Sequence, residues 1–366
     1  MRVTHICPTF DLEFAHWHEK VATRQANTGH SVTVLTTTLA PNGSGTAHKS
    51  GIYKSHGVKI VRFPATTLGH QILPLTSPTR LRVNTDVLHL HSYGQVFPEV
   101  VATLNPNTPT VLKADVGAVY PDKNPLKYIE RELVDAVTGF DDEELGYLTR
   151  MGFPRESVYK IPHGVDFEDF YTAGEDTDPV PGRLLMVAQV IPEKNIELSI
   201  EALAELVDEG GAHENAHLRI VGPIVDESYH QQLLSLAERR GIAERVTFAG
   251  LVPHERIKHE YAEANILLVT SRSESGGPAS MLEGAATGRP VISVPLSLAN
   301  ELEGGVVEVP YDADRISTEL EGLLTDESEW AHWAEAAAAV ARTRSWNSIV
   351  GDIDEIYGEI GARVKP

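Results

Sequence analysis

The chain has 366 residues, more than a single hydrophobic core usually holds, so two domains are expected. Its formal net charge is −21, and residues 173–345 carry 13 Lys and Arg against 30 Asp and Glu, which argues against a nucleic-acid partner. Cys7 is the single cysteine, which excludes disulfides within the chain and cysteine-based zinc sites.

The first half alternates short apolar strands with helices. A strand is predicted at the start, in MRVTHIC, rather than a signal peptide, and no apolar run reaches about 18 residues, so a soluble cytoplasmic protein is expected. A helix in AHWHEKVATRQANTGH, the strands SVTVLTT, DVLHLHS and TVLKADV, and a helix in DDEELGYLTRMG follow. This alternation is typical of a parallel sheet with helices on both faces.

The second half repeats the alternation after a polar stretch, YTAGEDTDPVPG at 171–182, which is the candidate linker. The predicted strands are RLLMVAQV, HLRIVG, RVTFAG, NILLVTS and PVISV, separated by helices such as NIELSIEALAELVDEG. Two such domains facing each other across a cleft would place both sets of strand ends around one ligand.

A glycine-rich loop joins the strand NILLVTS to the next helix. Pro278 suits the first helical position, and Gly288 followed by Pro290 ends the helix. The loop therefore lies at the carboxyl end of a buried strand, where open parallel sheets bind their ligands.

This loop carries the features of an anion site. Gly276 and Gly277 let the backbone approach a ligand, and the free N–H groups of the helix start favour a phosphate. Glu274 precedes the glycines, and Glu283 can point back toward the same pocket because helical side chains lean toward the N-terminus. The segment predicts a pocket for one anion with two hydroxyl-binding carboxylates; an ordinary turn with two solvated glutamates is the alternative.

Five segments resemble, in order and spacing, the family 4 retaining glycosyltransferases of the GT-B fold. They are IPHGVDFEDF, MVAQVIPEKNIELSIEALAEL, ERVTFAGLVPHERIKHEYAEANILLVTSRSES, MLEGAATGRPVISV and RSWNSIVGDIDEIY. The resemblance implies an α/β protein with two Rossmann-like parallel-sheet domains facing across a cleft. Residues 1–172 would form the acceptor-side domain, residues 173–345 the nucleotide-sugar-binding domain, and residues 346–366 a helix that crosses back to the first domain.

The resemblance also implies a site for a nucleotide-diphosphate sugar. In the family, one glutamate contacts hydroxyls of the donor sugar, a second contacts the ribose hydroxyls, and loop amides with a basic pair hold the diphosphate. Carried over by residue, Glu283 is the ribose candidate and Lys194 the diphosphate candidate. Gly276 and Gly277 supply amides, and the backbone around Leu251 borders the base. Carboxylates suit hydroxyls because each oxygen accepts more than one hydrogen bond.

The spacing of the two glutamates departs from the family pattern. Seven residues separate them in the family, whereas eight separate Glu274 from Glu283. Either a one-residue insertion displaces Glu274, or Ser275 replaces it at the donor sugar.

Two further departures concern charged groups. Gln189 stands where the family has an arginine beside the diphosphate, which removes a bidentate cation that Arg272 or Arg289 could replace. Val116 stands where many members have a histidine near the reacting carbon, which leaves Asp115 as the substitute. The candidate catalytic residues are therefore Lys194, Glu274 and Asp115.

Two histidines alternate with leucines in the predicted strand DVLHLHS. His89 and His91 therefore face one side of the sheet, where they could bind a metal. The family has a similar strand, DVVH.H, so a structural role near the cleft is the favoured interpretation, and no metal site is predicted.

The implied reaction is transfer of a sugar from a nucleotide-diphosphate sugar to an acceptor hydroxyl with retention of configuration. The leaving phosphate helps to deprotonate the acceptor, and Lys194 with helix-end amides stabilises the leaving group, so no cofactor is expected beyond the donor substrate. The departures leave an alternative, a catalytically silent nucleotide-sugar-binding homologue acting as a binding subunit. An isomerase acting on a nucleotide sugar has no signal beyond the fold.

The segment from Phe63 to Asn84 is apolar and basic, with no acidic residue. It contains Leu68, Ile72, Leu73, Leu75, Leu81, Arg80 and Arg82. One hypothesis is that it docks on a membrane surface or a lipid-linked acceptor; the other is an ordinary loop and helix covering the sheet. The expected partners are a nucleotide sugar and an acceptor that is a glycan, a lipid-linked compound or a small molecule.

Overall fold

The structure is a computed structural model that describes residues 1–12, 17–39, 48–91, 95–114, 131–208, 215–272, 279–296, 299, 302 and 304–363. Within these ranges, no helix has the length and apolar character needed to span a bilayer. The chain divides into two compact units, Met1–His163 with Trp346–Pro366 as unit 1, and Gly164–Ser345 as unit 2.

Unit 1 is built on an eight-stranded sheet in the order β10-β9-β8-β7-β1-β2-β4-β3. Every neighbouring pair is parallel except the β3-β4 hairpin at the edge. The strands are β1 (Arg2–Ile6), β2 (Ser31–Thr37), β3 (Gly51–Ser55), β4 (Val58–Phe63), β7 (Val87–His91), β8 (Thr110–Lys113), β9 (Ala136–Gly139) and β10 (Val158–Lys160). A separate antiparallel ribbon joins β5 (Ala65–Leu68) to β6 (Gln71–Pro74).

The helices of unit 1 are α1 (Trp17–Asn27), α2 (Val96–Leu104), α3 (Asp142–Arg150) and α11 (Trp346–Arg363). The last helix packs with α1 and the sheet through a buried stripe whose members recur three and four residues apart. These are Ile349, Val350, Ile353, Ile356, Tyr357 and Ile360. This spacing gives α11 one apolar face, and burial of that face attaches the helix to unit 1.

Unit 2 contains a fully parallel six-stranded sheet in the order β13-β12-β11-β14-β15-β16. The strands are β11 (Arg183–Val187), β12 (His217–Val221), β13 (Val246–Gly250), β14 (Ile266–Val269), β15 (Val291–Ser293) and β16 (Val307–Glu308). The helices are α4 (Phe167–Glu175), α5 (Ile196–Asp208), α6 (Glu227–Arg239), α7 (His254–Ala262), α8 (Ala279–Ala286), α9 (Ala313–Thr325) and α10 (Glu327–Thr343). Two apolar cores cover the sheet, as expected when helices pack on both faces.

Aspartates define the starts of several helices. The carboxylates of Asp141, Asp226, Asp312 and Asp326 accept hydrogen bonds from backbone N–H groups in the first turns of α3, α6, α9 and α10. Each such N-cap satisfies donors that the helix cannot pair internally and stabilises it by about 1 kcal/mol.

The segment from Phe63 to Asn84 differs from the predicted loop and helix. Its first part is the β5-β6 ribbon, and its helical part is a single 3₁₀ turn, Pro78–Leu81. Leu81 is buried in the core of unit 1 and is only 3% exposed. The expectation that all five apolar residues are available to a partner is therefore wrong for Leu81.

Two helical glycines should respond in opposite directions to alanine. A Cβ added at Gly174 in α4 would lie 2.0 Å from the carbonyl oxygen of Thr287, which is backbone and cannot rotate away. Gly174→Ala should therefore lower the free energy of unfolding by about 1–3 kcal/mol or more. At Gly351, exposed in α11, the added Cβ meets nothing within 4 Å. Gly351→Ala should therefore raise the free energy of unfolding by about 0.5–1 kcal/mol.

Denaturant unfolding of the two variants beside the parent checks this prediction. Equal shifts of the unfolding midpoint for Gly174→Ala and Gly351→Ala would contradict the close approach of α4 to Thr287.

Candidate functional site

The carboxyl edge of the unit 2 sheet is held together by backbone contacts between loops. Ala188, after β11, donates its N–H to the carbonyl of Val221 at 2.9 Å, and Gly222, after β12, donates to Gly250 at 2.9 Å. Gly222 has φ +151°, and a Cβ there would lie 2.0 Å from the Ala188 oxygen. Only glycine fits this position, so the loops after three neighbouring strands lie side by side.

The loop that carries Lys194 is attached to the end of β14. Lys194 ends the 3₁₀ turn after β11, and Asn195 follows in the left-handed conformation with φ 52°. The hydroxyl of Thr270, just after β14, lies 3.3 Å and 3.1 Å from the carbonyl oxygens of Lys194 and Asn195. The N–H of Arg272 donates to the Glu193 carbonyl at 2.9 Å. The structure thus places Lys194 immediately beside the strand that leads into the predicted anion loop.

Gln189 lies exposed on the same edge, in the loop after β11. Arg272, one candidate substitute for the missing arginine, donates from its guanidinium to a carboxylate oxygen of Glu197 at 2.7 Å and to the amide oxygen of Asn195 at 2.9 Å. The charge of Arg272 is therefore already paired, and 61% of its side chain is exposed.

Arg289, the other candidate substitute for the missing arginine, has a structural role. It is buried, and its guanidinium donates to the carbonyl oxygens of Gly174, Thr177 and Ala262 at 2.6–3.1 Å. It lies two residues before β15 and so at the amino end of that strand, whereas the predicted ligand lies at the carboxyl ends. Arg289 ties α4 and α7 to the sheet and does not replace the arginine.

Glu283 lies in α8 and is oriented by a tyrosine. The hydroxyl of Tyr261, from α7, donates to Glu283 Oε2 at 2.7 Å. Tyr261 is 1% exposed, and its burial, with the neighbouring carboxylate, raises its pKa well above the usual range, so it stays a donor. The next residue, Gly284, allows close packing, since a Cβ there would lie 2.3 Å from Leu267 Cδ2 in β14. The carboxylate is therefore held in the middle of α8 by its contact with α7.

The structure describes some of the other predicted site residues and leaves others undescribed. Leu251 follows β13 directly and is 77% exposed on the same edge. Asp115, Val116, Glu274, Ser275, Gly276 and Gly277 lie outside the described residues, so their assigned roles and the glutamate spacing stay predictions. Lys194, Gln189 and Leu251 are on neighbouring loops, and Glu283 is on the helix that follows the undescribed part of the anion loop.

Sequence reasoning missed Tyr261 as part of the site. A buried tyrosine hydroxyl usually needs a hydrogen-bond partner. Once Tyr261 in KHEYAEAN is known to be on the buried face of its helix, this rule indicates that its hydroxyl contacts another polar group. Tyr311 was missed as well; its hydroxyl donates to the carbonyl of Ser271 at 3.1 Å and fixes the end of β14. Neither contact follows from the spacing of the residues in the chain.

A second polar cluster lies in the core of unit 1. His5, His89 and His91 are buried, and one ring nitrogen of each lies within 4.8 Å of the others. Burial lowers the pKa of His5 to about 4 and lowers the pKa values of His89 and His91 well below the usual range, so all three are neutral at pH 7. His5 was missed in the sequence because only the pairing of β1 with β7 brings it beside His89.

Comparisons with known proteins give a consistent result. Residues 173–340 match the family described as Glycosyl transferases group 1. The chain is similar to the alpha-D-kanosaminyltransferase of Streptomyces kanamyceticus, with 31% identity over 193 residues that cover 51% of this chain and 47% of that protein. It is also similar to the D-inositol 3-phosphate glycosyltransferase of Corynebacterium efficiens, with 26% identity over 259 residues, 65% of this chain and 60% of that protein.

A solved structure shows the fold. Anabaena HepE in complex with UDP is similar with a TM-score of 0.74 and 15% identity, over 98% of this chain and 100% of that chain. The predicted fold class is therefore confirmed as GT-B, with two Rossmann-like parallel-sheet units. The chain spans about half the length of the first curated relatives it matches.

Proposed function

We propose that this protein is a family 4 type retaining glycosyltransferase that moves a hexosyl group from a nucleotide-diphosphate sugar to an acceptor hydroxyl. The observation that carries the proposal is the match of residues 173–340 to the glycosyltransferase family, a segment in which Lys194 follows β11 and Glu283 lies in the helix after β14. UDP and UDP-glucose in the HepE structures support a nucleotide sugar as the donor.

Each part of the donor has a candidate binding group. Tyr261 donates to Glu283 Oε2, and a carboxylate accepts several hydrogen bonds, so Glu283 is suited to the ribose hydroxyls as well. Lys194 and the N–H groups at the start of α8 bind the diphosphate, because a helix N-terminus favours an anion. The exposed Leu251 borders the base. The donor thus lies along the sheet edge of residues 173–345, while residues 1–172 receive the acceptor and residues 346–366 form the returning helix.

The proposed reaction takes place on one face of the sugar. The bond between the anomeric carbon and the leaving phosphate oxygen breaks, the bond to the acceptor oxygen forms on the same face, and the acceptor proton moves to the departing phosphate. Lys194 stabilises the charge that grows on the diphosphate, so no metal or other cofactor is required. Glu274 contacts hydroxyls of the donor sugar, with Ser275, Gly276 and Gly277 beside it, and Asp115 takes the place of the family's histidine.

The proposal is tested by donor hydrolysis without acceptor, sugar transfer across a panel of acceptors, and a binding titration with UDP-sugars. Slow hydrolysis together with transfer to at least one acceptor, with the anomeric configuration retained by NMR, is expected. Tight binding with neither hydrolysis nor transfer would contradict the enzymatic proposal and favour a silent binding subunit.

Glu283→Ala should weaken binding of UDP by about 1–3 kcal/mol, because charge-assisted hydrogen bonds to the ribose are lost. Isothermal titration of the parent and the variant measures the change. The 2′,3′-dideoxy analogue of UDP should bind both proteins equally, since it lacks the hydroxyls that Glu283 contacts. Glu255→Ala, an exposed change on α7, is the matched control. An unchanged dissociation constant for UDP would remove Glu283 from the site.

Lys194→Ala should reduce turnover more than donor binding, because the charge that Lys194 meets grows as the glycosidic bond breaks. Measurement of kcat beside the donor dissociation constant separates the two effects, and Lys258→Ala on α7 serves as the control. Equal losses in kcat and in binding would mean that Lys194 acts only on the bound ground state.

We further propose that the segment from Phe63 to Asn84 contacts a membrane surface or a lipid-linked acceptor. Leu68 and Leu75 are 71% and 57% exposed, and Arg80 and Arg82 of the same segment are also exposed. Exposed leucines next to arginines suit an interface in which the apolar groups enter the lipid and the guanidinium groups meet phosphates. Leu81 does not take part because it is buried.

Cosedimentation with anionic liposomes at low salt checks this surface. The parent should pellet with the vesicles, and Arg80→Glu/Arg82→Glu should stay in the supernatant, because the attraction to anionic lipid is reversed. Arg155→Glu/Arg256→Glu, an exposed pair elsewhere, is the control for net charge. If the parent stays in the supernatant, or both double variants behave alike, a soluble acceptor becomes the better proposal.

A further inference from the structure

Three buried histidines on adjacent strands form a triad in unit 1. His5 on β1 is the direct register partner of His89 on β7, and His91 lies two residues further along the same face. None of the three side chains is more than 2% exposed. The rings stack on one another with centroid distances of 4.5–5.2 Å. The triad is thus a fixed feature of the sheet.

The hydrogen bonds of His5 determine which of its nitrogens has the lone pair. Its Nε2 lies 2.9 Å from Gln25 Oε1, and Gln25 Nε2 donates to Asp354 Oδ1 at 3.1 Å. Because the carboxylate of Asp354 only accepts hydrogen bonds, the NH₂ group of Gln25 must face it, and the amide oxygen of Gln25 faces His5. Because that amide oxygen also only accepts, the proton of the neutral His5 ring is on Nε2. His5 Nδ1 therefore has the lone pair and accepts a hydrogen bond from His91 Nε2 at 2.9 Å. A bound metal would take the place of this hydrogen bond, with the proton of His91 on Nδ1.

His89 presents a second nitrogen to the triad. Its Nδ1 lies 2.6 Å from the hydroxyl of Tyr357 on α11. Its Nε2 is buried and has no hydrogen-bond partner among the residues that the structure describes. A buried polar atom without a partner is costly, and such atoms call for a ligand or an ion.

We propose that His5, His89 and His91 bind a divalent transition-metal ion, Zn²⁺ by preference, at a structural site. Three neutral imidazole nitrogens suit zinc and its neighbours rather than Mg²⁺ or Ca²⁺, which prefer oxygen ligands. Zn–N distances of about 2.0–2.1 Å in tetrahedral geometry separate ligand nitrogens by about 3.3 Å. The triad nitrogens already lie within 4.8 Å of one another, so small ring movements complete the site.

The outer contacts resemble those that orient metal-bound histidines. Such a ligand usually gives its second ring nitrogen to a carboxylate, carbonyl or other polar partner. Gln25 is the polar partner of His5 and links it to the carboxylate of Asp354. Tyr357 is the polar partner of His89. The ammonium of Lys113 lies 3.3 Å over the Phe140 ring and is a positive charge near the cluster. Asp354 and Tyr357 both belong to α11, so the metal would join β1 and β7 to this helix.

The experiment loads the full chain with Zn²⁺ or Co²⁺, removes free metal by gel filtration, and measures bound metal by mass spectrometry. We expect about one equivalent per chain, a visible Co²⁺ spectrum of four-coordinate intensity, and a higher thermal unfolding midpoint than after chelation. Absence of bound metal, or a weak six-coordinate Co²⁺ spectrum, overturns the proposal. The parent alone decides this outcome, whether or not the variants fold.

Variants then assign the ligands. His89→Asn should lose the metal, and Tyr357→Phe should retain it with about tenfold weaker affinity, as for other changes in outer contacts. His259→Ala, an exposed histidine on α7, should bind as the parent does. Full binding by His89→Asn, with far-UV circular dichroism showing a folded chain, would place the metal elsewhere and contradict the site. This test needs no glycosyl transfer and is independent of the proposed function.

Discussion

The reversal of strand order in the unit 2 sheet is the constraint on which the proposed donor site depends. From β11, the chain runs to β12 and β13 on one side, and it returns to β14, β15 and β16 on the other. At such a reversal the loops from neighbouring strands leave in opposite directions and open a crevice at the carboxyl ends. Lys194 follows β11, and Thr270 and Ser271 follow β14, so these described residues lie on either side of the reversal.

Close backbone contacts hold the crevice in shape. Gly222 brings the loop after β12 onto the carbonyl of Ala188, and Gly284 brings α8 onto β14. Thr270 and Tyr311 use their hydroxyls to fix carbonyls of the adjoining loops. Rigid loops matter here because the proposed catalysis is electrostatic, and donors that are already in position need not reorganise as charge develops.

The central strands of the unit 1 sheet carry buried polar side chains. His5, His89, His91 and Lys113 all lie in the middle of a parallel sheet. Burial keeps the imidazoles neutral, and their partners are Gln25, Tyr357 and one another. An unpaired polar group in such a core is costly, and His89 Nε2 is the triad nitrogen for which the described residues offer no partner. The helix α11 supplies part of that pairing, which explains why the C-terminal residues Trp346–Pro366 are grouped with the N-terminal half.

The sequence by itself determined the alternation of strands and helices, the two sheets and the position of Glu283 in the helix after the glycine loop. These features follow from local periodicity and from glycine and proline signals, which act over a few residues. Only the tertiary structure decided that Tyr261 orients Glu283, that Arg289 is tied to backbone carbonyls, that Leu81 is buried, and that His5 joins His89 and His91. These contacts link residues far apart in the chain, and they arise from strand order, register and helix packing, which no local pattern of residues encodes.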